Sequence, residues 1–184
     1  MSQGAPVVQG EGFVLRPWTL DDRESLLRHA NDEGVSRGLS DRFPFPYTVN
    51  DANNFLSHPV EAPSVVLAIE IDGEAVGGIG LRPGEDTLRI GGQLGYWLGR
   101  RYWGMGIMSR IVPRWCEYVF ASYGFERLQA TVLSNNPASA RVLEKSGFVR
   151  EGTLRRAAIK RNEVFDLWMY AMLRPQPDSS RRNS

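Results

Sequence analysis

The spacing of apolar and polar residues changes several times along this chain, and each change marks an element. Phe13 to Arg16 has the alternation of a strand. Thr19, with Asp22 three positions on, is an N-cap pattern that opens a helix burying Leu26, Leu27 and Ala30. Thr48 and Asp51 repeat that signal ahead of Phe55 and Leu56. Between these helices, Arg42 to Tyr47 (RFPFPY) carries two prolines, which exclude regular structure and leave three aromatic rings on a loop. Val65 to Ile71 is β-rich, and Asp72 with Gly73 supplies a hairpin turn into Ala75 to Leu81. A second turn, Pro83 to Asp86, leads into a strand from Leu88 to Leu98. Ile107, Ile111, Trp115 and Val119 recur at spacing four, an amphipathic helix ending near Gly124, and Pro113 inside it predicts a kink or a late start. Leu128 to Leu133 reads as a strand, Asn136 to Ser146 as a short helix, and Phe148 to Leu154 and Val164 to Leu173 as two more strands. The order is that of one mixed α/β domain over residues 11–173, with residues 1–10 a flexible start and 174–184 a disordered polar tail.

Composition narrows the function classes. The chain has 184 residues, enough for one core without disulfides. Its 22 Lys and Arg against 21 Asp and Glu leave a cationic surplus of only one for displacing counterions, so nucleic acid is not an expected partner. The longest apolar run, Leu167 to Leu173, is too short to span a bilayer, and the first residues lack a secretory pattern, so the expected setting is cytoplasmic with no membrane partner. Cys116 is the only cysteine, which excludes an internal disulfide and a thiolate zinc cage; no metal is expected. His29 and His58, the only histidines, lie far from Cys116 in sequence, so the thiol reads as a half-buried packing residue.

Ten of the 19 glycines fall between Gly77 and Gly106. Gly77, Gly78, Gly84, Gly91 and Gly92 are accounted for by turns and close strand packing. Gly104 and Gly106 differ, because they stand between a strand and the start of a helix, where free amides and the helix dipole make a pyrophosphate site. The loop is neither a Walker A, since no Gly-Lys-Ser/Thr follows, nor a dinucleotide fingerprint, since Ser109 takes the third glycine position. A second segment, Asn136 to Phe148 (NPASARVLEKSGF), has Asn136 as N-cap, Pro137 at the first helical position and Gly147 past the end, which leaves Ser139 and Arg141 unexplained.

Together these residues carry a resemblance. Arg101, Gly104 and Gly106 match the Gln/Arg-x-x-Gly-x-Gly/Ala signature of the GNAT acetyltransferases, and QLGYWLGRRYWGMG with the Asn136 to Phe148 segment resembles the RimJ/RimL branch, which acetylates protein N-termini and related amines. The resemblance covers about residues 10–173. It implies a single α/β (α+β) domain with a mixed, mostly antiparallel sheet flanked by helices, in which two splayed strands hold acetyl-CoA. It implies main-chain pairing of Tyr96, Trp97 and Leu98 with the pantetheine arm, and amides from Arg101, Tyr102, Trp103, Gly104, Met105, Gly106 and Ile107 on the pyrophosphate. It also implies cofactor contacts from Asn136 and Ser139, with Arg141 beside a CoA phosphate.

Acetyl transfer needs a neutral amine beside the thioester, a proton acceptor, and support for the departing thiolate. Ser139 is the resemblance's candidate at the thiolate. The strand position that often carries a glutamate in this branch is Gln93 here, and an amide accepts no proton at neutral pH. A glutamate used after the last helix in some relatives falls near Ala158. Asp166 matches a family aspartate read first as structural, with a substrate or base role as the alternative. Substrate contacts are expected from Trp18, Arg42, Phe43, Phe45 and Tyr47, beside Gln93 and Asp166. The resemblance implies direct transfer to a primary amine, a peptide N-terminus or a small molecule, by a monomer or homodimer. Two other classes stay open: a CoA-binding module of the same fold without catalysis, which the missing carboxylates support, and an unrelated nucleotide-binding α/β module.

Overall fold

A computed structural model describes residues 8–58 and 64–176. The strands are β1 (Val8–Gly10), β2 (Phe13–Pro17), β3 (Val65–Ile71), β4 (Glu74–Pro83), β5 (Gly91–Leu98), β6 (Arg127–Leu133), β7 (Val149–Lys160) and β8 (Glu163–Leu173). They form one sheet in the order β1-β2-β3-β4-β5-β6-β8-β7. Every neighbouring pair is antiparallel except β5 and β6, which run parallel. The helices are α1 (Arg23–Ala30), α2 (Glu33–Arg37), α3 (Val49–Ser57), α4 (Ile107–Ser122) and α5 (Pro137–Lys145).

Two packed clusters follow from the alternation of the strands. The larger joins Leu15, Leu67, Ile69 and Ile79 of the sheet to Ile111, Trp115 and Val119 of α4 and Leu143 of α5. The helical spacing read from the sequence is therefore the face that α4 buries. The smaller cluster joins Leu26 and Ala30 of α1 to Ala52 of α3 and Tyr47, with Trp18, Phe43, Phe55 and Trp97 against it. Local signals place the ends. Asp72 and Gly73 both take positive φ at the β3–β4 turn, as a two-residue hairpin needs. Thr48 and Asp51 form a reciprocal capping box at α3, with Thr48 N–H donating to Asp51 Oδ2 at 2.8 Å. At the α1 end, Arg16 on β2 binds both carboxylate oxygens of the buried Asp22 at 2.7 Å and also pairs with Glu70 of β3.

Several elements depart from the sequence pattern. Val8–Gly10 is a strand paired with β2, not part of a flexible start; residues 1–7 lie outside the described residues. The run expected as strand from Leu88 begins as a 3-10 turn, Asp86–Ile90, with Leu88 70% and Ile90 57% exposed; apolar character there serves no core. Strand β7 continues past Leu154 to Lys160 on the strength of backbone pairing with β8 alone, since nearly all its side chains are exposed. Pro113 sits inside a helix that neither starts late nor ends there. The tail begins with a docked residue: the Arg174 guanidinium donates to the carbonyls of Phe120, Tyr123 and Phe125 at 2.7–2.8 Å, while 177–184 lie outside the described residues.

Candidate active site

Strands β5 and β6 pair over only Gly91–Gln93 and Arg127–Gln129, then separate. Beyond that point β6 is paired with β8, and β5 with β4. Gly99 N–H donates to Val76 O at 2.7 Å, so in the alternating antiparallel pattern Trp97 and Gly95 spend their main-chain groups on β4, whereas Tyr96 and Leu98 point theirs into the gap. The resemblance named all of Tyr96, Trp97 and Leu98 for main-chain contacts; Trp97 is corrected, because β4 takes its amide and carbonyl. The Leu98 carbonyl also accepts the Trp103 indole N–H at 2.7 Å, which ties the following loop to the end of β5.

That loop, from a 3-10 turn at Arg100–Tyr102 to the start of α4, is exposed apart from a half-buried Tyr102 until Ile107 is buried. Gly104 and Gly106 have φ of 76° and 71°, and a Cβ on either would meet nothing within 4 Å. Glycine is required there by backbone conformation, and the space above stays open. Gly106 is the N-cap of α4 without a side-chain cap, and the first turn of that helix contains no acidic residue, so its leading amides are left for an anion. Arg101 is exposed with its guanidinium 5.2 Å from the Tyr102 ring centre.

Across the gap, Asn136 caps α5 by accepting the Ser139 N–H at 3.1 Å. The Ser139 hydroxyl is 2.9 Å from the Tyr96 hydroxyl, which also donates to the Ser139 carbonyl. Burial pushes the Tyr96 phenol up to about 12, so it keeps its proton at neutral pH. The sequence singled out Ser139 but gave the Tyr96 side chain no part; only the pairing of a strand with a helix 43 residues on reveals it. Arg141 is exposed on α5 and makes no ion pair among the described residues.

On the opposite face of β5 lies a cavity of about 820 Å³ that reaches Tyr96, Trp97 and Gln93. Arg42, Phe43 and Tyr47, expected from the sequence as substrate contacts, line it together with Phe55. Phe43 packs 5.3 Å from both Tyr47 and Trp97. Trp18, Phe45 and Asp166, also expected as contacts, do not line it. Trp18 stacks behind Trp97 at 6.4 Å, and Phe45 turns outward with the Arg161 guanidinium 5.2 Å from its ring. Asp166 is not at the cavity: its Oδ1 accepts the Arg156 N–H at 2.7 Å, holding a bulge where Arg156 has positive φ. Gln93 bridges the root of the gap, its amide within 3.3 Å of Thr131 Oγ1 and of the Gln129 amide. Sequence reasoning missed Arg82, Gly80 and Gly95, which share this face with Gln93 through the β4–β5 register. Period-two counting on either side of the hairpin would have found them.

Cys116 is buried on α4 and burial pushes its thiol up to about 12, which removes it as a nucleophile. Among the described residues no group of His, Cys, Asp and Glu is placed to hold a metal, and no helix is long and apolar enough to cross a membrane.

Comparison with known proteins agrees with this geometry. A family model described as acetyltransferase (GNAT) domain matches residues 13–149. The uncharacterized N-acetyltransferase YoaA of Bacillus subtilis is 26% identical over 175 residues, covering 93% of this chain and 98% of that protein. RimL, a ribosomal L7/L12 alpha-N-protein acetyltransferase solved with coenzyme A, superposes with a TM-score of 0.81 at 18% identity, over 91% of this chain and 98% of that one. The microcin C7 self-immunity acetyltransferase MccE, solved with acetyl-CoA and AMP, gives 0.78 at 20% identity, over 89% and 93%. At those identities the two structures speak for the fold.

Proposed function

The chain belongs to the GNAT acetyltransferases, and from that premise we propose that it transfers an acetyl group from acetyl-CoA to a primary amine, a peptide N-terminus or a small molecule, by direct attack in a ternary complex. One observation carries the reading: the gap between β5 and β6 has unpaired strand edge on one wall, an uncapped helix start at its mouth, and an aromatic cavity opening onto its root. The free amide and carbonyl of Tyr96 and the free amide of Leu98 suit a pantetheine arm laid along β5, and the Gly104–Ile107 amides suit its pyrophosphate. RimL and MccE, which share the fold, were solved with coenzyme A and acetyl-CoA respectively.

The amine enters from the cavity side and its nitrogen attacks the thioester carbon. The carbon–sulfur bond then breaks, the departing thiolate takes a proton from Ser139, Ser139 retakes one from Tyr96, and Tyr96 regains its own from water. The amine's surplus proton leaves to water. Gln93 ties the two strands at the root of the gap rather than taking that proton, and Ala158 does not line the cavity. A single buried cysteine suits a reducing, cytoplasmic setting. Thiol release from acetyl-CoA with a panel of amines and N-terminal peptides tests the proposal. Acceptor-dependent release supports it; saturable CoA binding with no release for any amine replaces it with the non-catalytic module that the missing carboxylates also suit.

A further inference from the structure

The floor of the cavity is built from three cross-strand rows. In the β4–β5 register Gly78 stands opposite Trp97, Gly80 opposite Gly95, and Arg82 opposite Gln93, all on the face that lines the cavity. The middle row carries no side chain, so about 13 Å of bare backbone separates an aromatic end from an end that bears Arg82 and Gln93. A Cβ at Gly95 would meet nothing within 4 Å, whereas one at Gly80 would meet the Val65 carbonyl at 2.9 Å, so the open space of that row lies above Gly95.

The charges around the cavity do not balance locally. Four charged residues line it: Asp41, Arg42, Asp51 and Arg82. Asp41 faces Lys160 at 3.0 Å, and Asp51 is held at the N-terminus of α3 by Thr48, where the helix dipole favours it. Among the described residues Arg42 and Arg82 have no acidic partner. A polycationic acceptor meets repulsion here. An acceptor with an anionic group meets Arg82, and because cross-strand neighbours stand about 5 Å apart, that anion lies next to the root of the gap where the amine must sit.

Resting on the acetyltransferase reading above, we infer that the acceptor is a free α-amino acid with a large apolar or aromatic side chain. Its carboxylate pairs with Arg82, its amine sits at the Gln93 end of the gap, and its side chain crosses the Gly80–Gly95 floor toward Trp97 and Phe43. A peptide N-terminus lacks the adjacent carboxylate, and a polyamine lacks both anion and apolar body.

The test measures kcat/KM by thiol release at saturating acetyl-CoA for L-phenylalanine, L-phenylalaninamide, a phenylalanyl dipeptide, L-alanine and spermidine, each corrected for its fraction of neutral amine. Phenylalanine is expected to exceed phenylalaninamide and the dipeptide by at least about tenfold, since the lost partner is a charge-assisted pair. It is also expected to exceed alanine by about tenfold or more, for the apolar contact area lost. In Arg82→Gln the ratio of phenylalanine to phenylalaninamide should fall at least about tenfold, and Arg82→Lys should restore part of it. Equal use of phenylalanine and its amide by the wild type, or a ratio that Arg82→Gln leaves unmoved, overturns this inference while acetyl transfer stands. Preference for spermidine or the dipeptide overturns it likewise. Absence of release with every amine overturns the acetyltransferase reading beneath it.

Discussion

Tyr96 and Ser139 approach from different elements to 2.9 Å, and in the proposed mechanism their coupling is the proton path to the leaving group. Ser139→Ala is expected to lower kcat by about 100-fold, at the lower end of what a positioned proton donor contributes, with little change in the KM for acetyl-CoA. Steady-state kinetics check the split; a rise in KM at unchanged kcat makes Ser139 a binding contact only. The pH dependence follows from the neighbouring groups. Of the carboxylates at the cavity, Asp51 is held below its ordinary range by Thr48, so it is not poised to act as a base near neutrality, and Asp41 pairs with Lys160 at 3.0 Å. Tyr96 keeps its proton well beyond pH 10, since burial disfavours the phenolate. Activity should therefore rise with pH as the acceptor amine loses its proton, without a plateau near pH 6. A pH–rate profile with such a plateau means a protein base exists. Ser139, Gly104 and Gly106 were legible in the sequence because the motifs that hold them are local. The Tyr96 hydroxyl, Arg82 and the Gly80–Gly95 floor were not, because each acquires its neighbour through strand register or a helix packed across the sheet.

Helix α4 has the proposed pyrophosphate site at one terminus and a stabilising contact at the other. At its start, Gly106 sits at φ 71°, a left-handed conformation that costs an L-residue on the order of 1–2 kcal/mol, more for a β-branched one. Gly106→Val is expected to lower stability by about that amount and to weaken acetyl-CoA binding by much more than the stability loss explains. Calorimetric titration beside a melting curve checks it, and equal binding by the folded variant removes the helix start from the site. At its end, Arg174 spans the carbonyls of Phe120, Tyr123 and Phe125, where the helix dipole favours a cation. Arg174→Ala should cost on the order of 2 kcal/mol in denaturant unfolding. The capping boxes and the Asp72–Gly73 turn were readable because they are made by residues a few positions apart. The length of β7 was not, because its exposed side chains carry no burial pattern and only its partner β8 sets its extent.

At the scale of the molecule, the sheet has to hold β4 and β5 together while letting β5 and β6 part, and the Arg16–Asp22–Glu70 network braces the half that carries α1 and the cavity. Burial alone would push the Asp22 carboxyl up, but hydrogen bonds from Arg16 and Thr19 hold it below the ordinary aspartate range. A lowered folded value means this contribution is present above the unfolded pKa and is lost as pH falls through the folded one. Asp22→Asn should destabilise by on the order of 3 kcal/mol at pH 7, and the deficit should shrink on titration below pH 4, as read by thermal melts.

Amide hydrogen exchange resolved by residue, with and without saturating acetyl-CoA, tests the central claim most directly. The Tyr96 and Leu98 amides face the gap, and those of Gly104 to Ile107 stand at the uncapped helix start. These should be strongly protected on binding, whereas Gly95 and Trp97, already bonded to β4, should change little. Saturable binding that leaves the Tyr96, Leu98 and Gly104–Ile107 amides unprotected, or that protects Gly95 and Trp97 equally, contradicts the placement of acetyl-CoA between β5 and β6.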